Sequence, residues 1–146
     1  MSTQQNPYDF FLAFKKNLPK IKQEIIANVV AVEARNFTRK NFRDEGFTDT
    51  SLQKWTPRKK SEKGKTRALL VDTSTMKRHA ATPQKTPTGV NFVFPLEYEE
   101  VHNYGLKAGR GKGFDMPERK YIGESHYLNK KIEAKARKVF DKYLKP

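Results

Sequence analysis

From Thr86 to Gly105 the chain reads TPTGVNFVFPLEYEEVHNYG, and its periodicity changes once in the middle. Val90, Phe92 and Phe94 alternate with Asn91 and Val93, the period of a strand, and Pro95 ends the run. The preceding Thr86 to Gly89 has turn chemistry, so the strand needs a hairpin partner upstream, and residues near His79 to Thr82 are the segment available. Past Pro95 the pattern turns helical. Leu96 to Tyr104 puts Tyr98 and Val101 on one face, and Gly105 suits a left-handed C-cap. This stretch predicts an antiparallel hairpin over about residues 78–95, then a short helix.

Working outward, Ile21, Ile25, Val29 and Val32 recur with the period of an amphipathic helix. It is expected from Pro19 to about Asp44, stopped by Gly46, with Tyr8 to Lys16 as a separate short helix ahead of it. Leu128, Ile132, Ala136, Val139 and Tyr143 make a second such stripe near the C-terminus. The fold class is therefore α+β: a small antiparallel sheet flanked by a long N-terminal helix and a C-terminal helix. At 146 residues this is one domain. Trp55, Leu70, Phe92, Phe94, Tyr98, Val101, Ile132 and Val139 are its expected core.

Thirty Lys and Arg against 16 Asp and Glu leave a net charge of +14, which suits a polyanion or an acidic protein partner. Two glycine-bearing basic segments, residues 57–67 and 105–117, read as loops too polar to bury themselves and mobile in the isolated chain. With no cysteine there is no disulfide framework, Cys-ligated zinc or thiol nucleophile. No stretch of eighteen apolar residues and no leader pattern is visible, so no membrane segment is expected.

The catalytic and nucleotide motifs fail on context. Gly64 to Thr66 ends like a phosphate-binding loop, but Lys59 stands where its first glycine belongs. Gly109, Gly111 and Gly113 have the wrong spacing for a dinucleotide site and no strand leads into them. A metal-dependent nuclease needs convergent carboxylates and a Lys or His. Glu118-Arg119-Lys120, with Asp115, Glu99 and Glu100 nearby, is the nearest approach, and His102-Asn103 lacks the second histidine of a His-Asn-His site. His79, His102 and His126 share no metal-ligand spacing, and neither Ser74 nor Ser125 sits in a nucleophile elbow. No catalytic residue, cofactor or metal is assigned, and no enzymatic activity is expected.

Four landmarks occur in order: Trp55-x-Pro57; LLVDTSTM at Leu69 to Met76; EYEEVHNYG at Glu97 to Gly105; and MPERKYIG at Met116 to Gly123. This order resembles the phage virion morphogenesis family, whose members complete tails and join heads to tails in tailed phages. Its pattern has a tryptophan near a proline, then Leu-x-x-Thr-Gly-x-Leu, Tyr-Ala-x-x-His-x-x-Gly and Pro-x-Arg-x-Phe-x-Gly before the last helix. Leu70, Thr73, Tyr98, His102, Gly105, Pro117, Arg119 and Gly123 fall on those positions. Ser74 stands for the glycine, Met76 for the second leucine, Tyr121 for the phenylalanine and Glu99 for a small residue.

The resemblance covers roughly Trp55 to Lys142. It implies a structural virion protein at the neck or head-proximal tail end, assembled in the host cytoplasm. Such a protein would form a homo-oligomeric ring of six- or twelve-fold symmetry around the DNA path. Its partners would be neighbouring neck, portal-side or tail-tube proteins, with non-specific contact to packaged DNA. On this reading His102, Asn103, Gly105, Lys107, Arg110, Lys112, Pro117 and Arg119 are subunit or ring contacts, and the arm from Lys107 to Phe114 orders only on assembly. Arg58, Lys59, Lys60, Lys63, Lys65 and Arg67 would face DNA or an acidic partner. The competing readings are a basic nucleic-acid-binding module and the nuclease.

Overall fold

The computed structural model describes residues 6–59, 68–71 and 73–145. Its spine is one unbroken helix in three parts: α1 (Pro7–Ile25), a π-helical turn (Ile26–Val30) and α2 (Ala31–Asp44). Asn6 caps it by accepting the Tyr8 N–H at 3.1 Å, and Pro7 occupies the first turn, where its missing N–H is harmless. The expected break at Pro19 is absent, and the separate short helix is part of α1. Pro19 and Lys15 are both exposed, so water replaces the one backbone bond that the proline ring deletes. Glu45, left-handed at φ 48°, ends α2.

Immediately after, β1 (Gly46–Thr48) pairs antiparallel with β2 (Leu52–Lys54). A Cβ on Gly46 would stand 2.6 Å from the Gln53 carbonyl oxygen, so only glycine fits this close pairing. The chain continues through α3 (Thr75–Ala80), the hairpin β3 (Gln84–Thr86) and β4 (Gly89–Asn91), and α4 (Glu97–Tyr104). A third hairpin, β5 (Lys107–Ala108) and β6 (Phe114–Asp115), precedes α5 (His126–Leu144). The three hairpins are separate two-stranded sheets. The α+β class with a long N-terminal and a C-terminal helix is thus as the sequence predicts.

Two boundaries differ. The partner of the aromatic strand is Gln84–Thr86, because residues 75–80 are helical, and β4 stops at Asn91 instead of running through Phe94. Residues 105–117, expected as a loop, contain the β5–β6 hairpin, turned by Gly109, Gly111 and Gly113, all at positive φ.

α5 runs antiparallel to the spine. Ser125 starts it, its hydroxyl donating to the Thr48 carbonyl at 2.7 Å and accepting from the Leu128 N–H. Further along, Lys135 pairs with the buried Glu33, and Lys142 and Tyr143 both bond Glu24. Ile132 and Val139 are only half-buried, and α5 has no fully buried residue.

The main core cluster joins Phe42, Trp55, Leu69, Met76, Ala80 and Tyr121, with Leu70, Val71, Phe94 and Ile122 packed against it. Trp55 and Tyr121 both lie on the Phe42 ring, at centroid distances of 5.6 and 5.0 Å. Tyr98, placed in the core by periodicity, is 44% exposed, and Phe92 and Val101 are half-buried. Among the described residues no helix is long and apolar enough to cross a membrane.

Candidate functional site

The four landmarks of the sequence meet around one extended segment, Arg119 to Ile122. Asn103 of α4 is fully buried, and its side-chain oxygen accepts the N–H groups of Tyr121 and Ile122 at 2.9 and 3.0 Å. Its amide nitrogen donates to the Ile122 carbonyl at 3.1 Å. Asn41 of α2 donates to the Tyr121 carbonyl at 3.2 Å, and the Trp55 indole to the Lys120 carbonyl at 2.7 Å. A segment without strand partners is therefore hydrogen-bonded by side chains from three directions, which is what lets it run through the interior.

Arg119 completes the arrangement. Its backbone N–H donates to the His102 carbonyl at 2.8 Å, and its guanidinium donates to the carbonyls of Thr56 at 2.9 Å and Pro57 at 3.4 Å. The fork clamps backbone carbonyls of the Trp55-x-Pro57 landmark. Gly105 is left-handed at φ 65°, and a Cβ there would stand 3.0 Å from the Glu118 nitrogen. Both its conformation and its close approach require glycine.

α4 also carries the Glu99 carboxylate, 1% exposed, bonded to Nδ1 of His79 at 2.5 Å. The Tyr121 hydroxyl donates to the Glu99 carbonyl at 3.3 Å, and burial, then the nearby carboxylate, push its ionisation far above the usual phenol range. Nδ1 of His102 is buried without a hydrogen-bond partner among the described residues. Burial, then the neighbouring Arg119 charge, holds its pKa below the ordinary 6.5.

The sequence-predicted contact residues divide. Asn103 and Arg119 are buried and engaged within the chain, so they are structural members of this knot. Gly105, His102 and Pro117 are half-buried beside it. Lys107, Arg110 and Lys112 are exposed on the β5–β6 hairpin. Lys59 is exposed, and Arg58 donates to the Ala68 carbonyl at 3.0 Å. Lys60, Lys63, Lys65, Arg67 and the Gly64 to Thr66 motif lie outside the described residues.

The carboxylates weighed for a nuclease are differently occupied: Glu99 is sealed against His79, Glu118 and Asp115 are exposed, and the Lys120 ammonium lies 4.5 Å above the Phe47 ring. No group of three potential metal ligands occurs among the described residues.

Comparison with known proteins adds no relative. The chain matches no family model, no curated protein and no solved structure.

The sequence reading missed Glu99, Asn41 and Tyr121 as interior members. Tyr121 had one available signal, its place at the phenylalanine position of the fourth landmark. Glu99 had one too, since it stands where the resembled pattern has a small residue, although a glutamate in an acidic helix reads as solvated.

Proposed function

We propose that the chain is a structural component of a tailed-phage particle, acting at the neck or head-proximal end of the tail as a ring that joins tail to head around the DNA path. The observation that carries this reading is the backbone at Ser74. It stands where the resembled pattern has glycine, and it is left-handed at φ 61°, a conformation glycine adopts freely and other residues only at a cost. The pattern's other helix-end glycine, Gly105, is left-handed as well. Support also comes from the bonding of the landmarks to one another: Arg119 to Thr56 and Pro57, and Trp55 to Lys120. Residues that together build one interior knot form a coherent structural pattern.

The exposed basic hairpin bearing Lys107, Arg110 and Lys112 then serves the assembled particle, against phosphates along the channel or an acidic neighbouring ring. Contacts of this kind need no base readout. Catalysis has no part in the proposal: plasmid and single-stranded DNA incubated with the protein and Mg²⁺ or Mn²⁺ should stay intact. Cleavage abolished by Glu118→Gln would replace this reading with the nuclease. The direct test is imaging: negative stain of the purified protein should show closed rings, and antibody against the chain should label the neck of intact particles. Label confined to the capsid surface or tail tip, or no label on particles, would sink the assignment.

A further inference from the structure

The apolar stripe of α1 does not end where its neighbour ends. Because Lys142 and Tyr143 meet Glu24 and α5 stops at Leu144, the antiparallel pairing leaves residues 7–20 of α1 beyond the end of α5. At 1.5 Å per residue that overhang is roughly 20 Å long. Phe11, Phe14 and Leu18 continue the helix face that holds the buried Ile21, with Tyr8 next to Phe11, whereas Leu12 lies on the far side of the helix. Tyr8 and Phe11 are 65% and 60% exposed, and Leu12 and Leu18 are 44% and 41%. Lys15, Lys16, Lys20 and Lys22 all reach solvent on the same segment.

α4 carries the opposite combination. Residues 86–106 contain no Lys or Arg, although the protein has 30 of them. Within that island α4 turns Glu99 and Asn103 inward and presents Glu97, Tyr98, Glu100 and Tyr104 on its outer face. One surface is apolar and basic; the other is aromatic and acidic.

We propose that the α1 overhang of one copy docks on the outer face of α4 of a second copy. Charge selects this pairing over the symmetric one. Two overhangs laid side by side would set lysines against lysines in molecules already at +14, whereas overhang on α4 brings lysines to Glu97 and Glu100. The area is sufficient. With aromatic side chains presenting about 150–250 Å² each, the exposed parts of Tyr8, Phe11, Leu18, Tyr98 and Tyr104 sum to roughly 550 Å². At the usual non-polar share this corresponds to an interface of about 1,000 Å², the least that a specific contact needs. Since the two surfaces differ, the contact is head-to-tail, and its repetition closes a ring or grows a filament. This concerns which surfaces of the chain meet and does not depend on the virion assignment.

Sedimentation of the full chain at low salt, with circular dichroism as the control for folding, tests it. The parent should self-associate, and Lys15→Glu/Lys16→Glu and Glu97→Lys/Glu100→Lys should each weaken association by about tenfold or more, more strongly at low than at high salt. Mixing the two folded variants should restore it, because each retains the half that the other lacks and the two reversed halves again carry opposite charge. Parent chains that stay monomeric overturn the proposal. So does association untouched by the Glu97→Lys/Glu100→Lys variant, which would indicate another interface, and so does failure of the mixture to recover.

Discussion

Two helices of this protein fill their buried faces differently. α2 turns Ala31, Ala34, Phe37 and Phe42 inward beside the buried Glu33, Thr38 and Asn41, while α4 fully buries no apolar residue: it buries Glu99 and Asn103 and leaves Tyr98 and Tyr104 44% and 50% exposed. The difference lies in what faces them. α2 meets rings: Phe37 lies 5.4 Å from Phe47 edge-on, and Phe42 meets Trp55 and Tyr121. α4 meets bare backbone and a histidine, namely the N–H groups of Tyr121 and Ile122, the Ile122 carbonyl and His79. A face is buried when its partners satisfy it, and unpaired peptide groups are satisfied by an amide better than by a phenol.

The sharpest way to break the contrast is to truncate one buried group from each helix. Phe42→Ala removes a ring from the centre of the core cluster and should lower stability by about 3–5 kcal/mol in chemical denaturation. Asn103→Ala should come next, at roughly 2–4 kcal/mol, because it strands two N–H groups and a carbonyl in the interior. Asn103→Leu, more apolar and of similar size, should be no better. If it matched the parent, burial on α4 would follow hydropathy after all.

The pH dependence sharpens the same comparison, since α4 also carries His102. Its folded pKa is depressed by burial and by Arg119, so the unfolded chain takes up the proton first. Its contribution is fully present above the ordinary pKa of 6.5 and is lost as pH falls below that value and through the lower folded one. Asp44 and Asp49, depressed chiefly by hydrogen bonds from Lys40 and from His126, add a further loss only below the ordinary carboxylate value of 3.8. Thermal melts from pH 8 to 5 should fall for the parent and flatten for a folded His102→Gln variant.

Smaller effects bound the contrast. Ser74→Gly relieves a left-handed serine that costs about 1–2 kcal/mol, partly offset by the entropy glycine adds to the unfolded chain, so a gain of about 0.5–1 kcal/mol is expected. Tyr98→Ser, on the outward face of α4, should leave the stability of the monomer within about 0.5 kcal/mol of the parent.

The same physics decides how much was legible in advance. The α+β class, α5, the left-handed Gly105 and the existence of the β3–β4 hairpin follow from period and turn chemistry, which are local. Proline chemistry marks Pro19 as a helix start, whereas the helix runs through it, because the stripe of Phe11, Phe14 and Leu18 stays in phase with Ile21. The inward turn of α4 could not be read from Glu97 to Tyr104, because the groups that make Asn103 necessary lie eighteen and nineteen residues away. Arg119 stands out by its place in the fourth landmark, but its partners, the carbonyls of Thr56 and Pro57, lie more than sixty residues away and leave no local mark. Asn103 and Arg119, which the resemblance carries over as contact residues, are bonded within the chain, and motif position says that a residue is needed and not where it is used.

The π-helical turn at Ile26–Val30 has a consequence for how the two ends of the spine are aimed. A wide turn holds one residue more than the α-helical ladder needs, so it acts as a phase slip of about 100° between the segments on either side. The core-facing stripe of α2 and the stripe of α1 are thereby set by different clocks. Deleting Ala27 would restore a single phase, and with α2 anchored by Phe37 and Phe42, the rotation would fall on α1. Phe11 and Leu18 would swing about the helix axis and carry with them Glu24 and the buried Ile21, so the heading of the N-terminal helix is held by one buried side chain and by the Glu24 bonds to Lys142 and Tyr143.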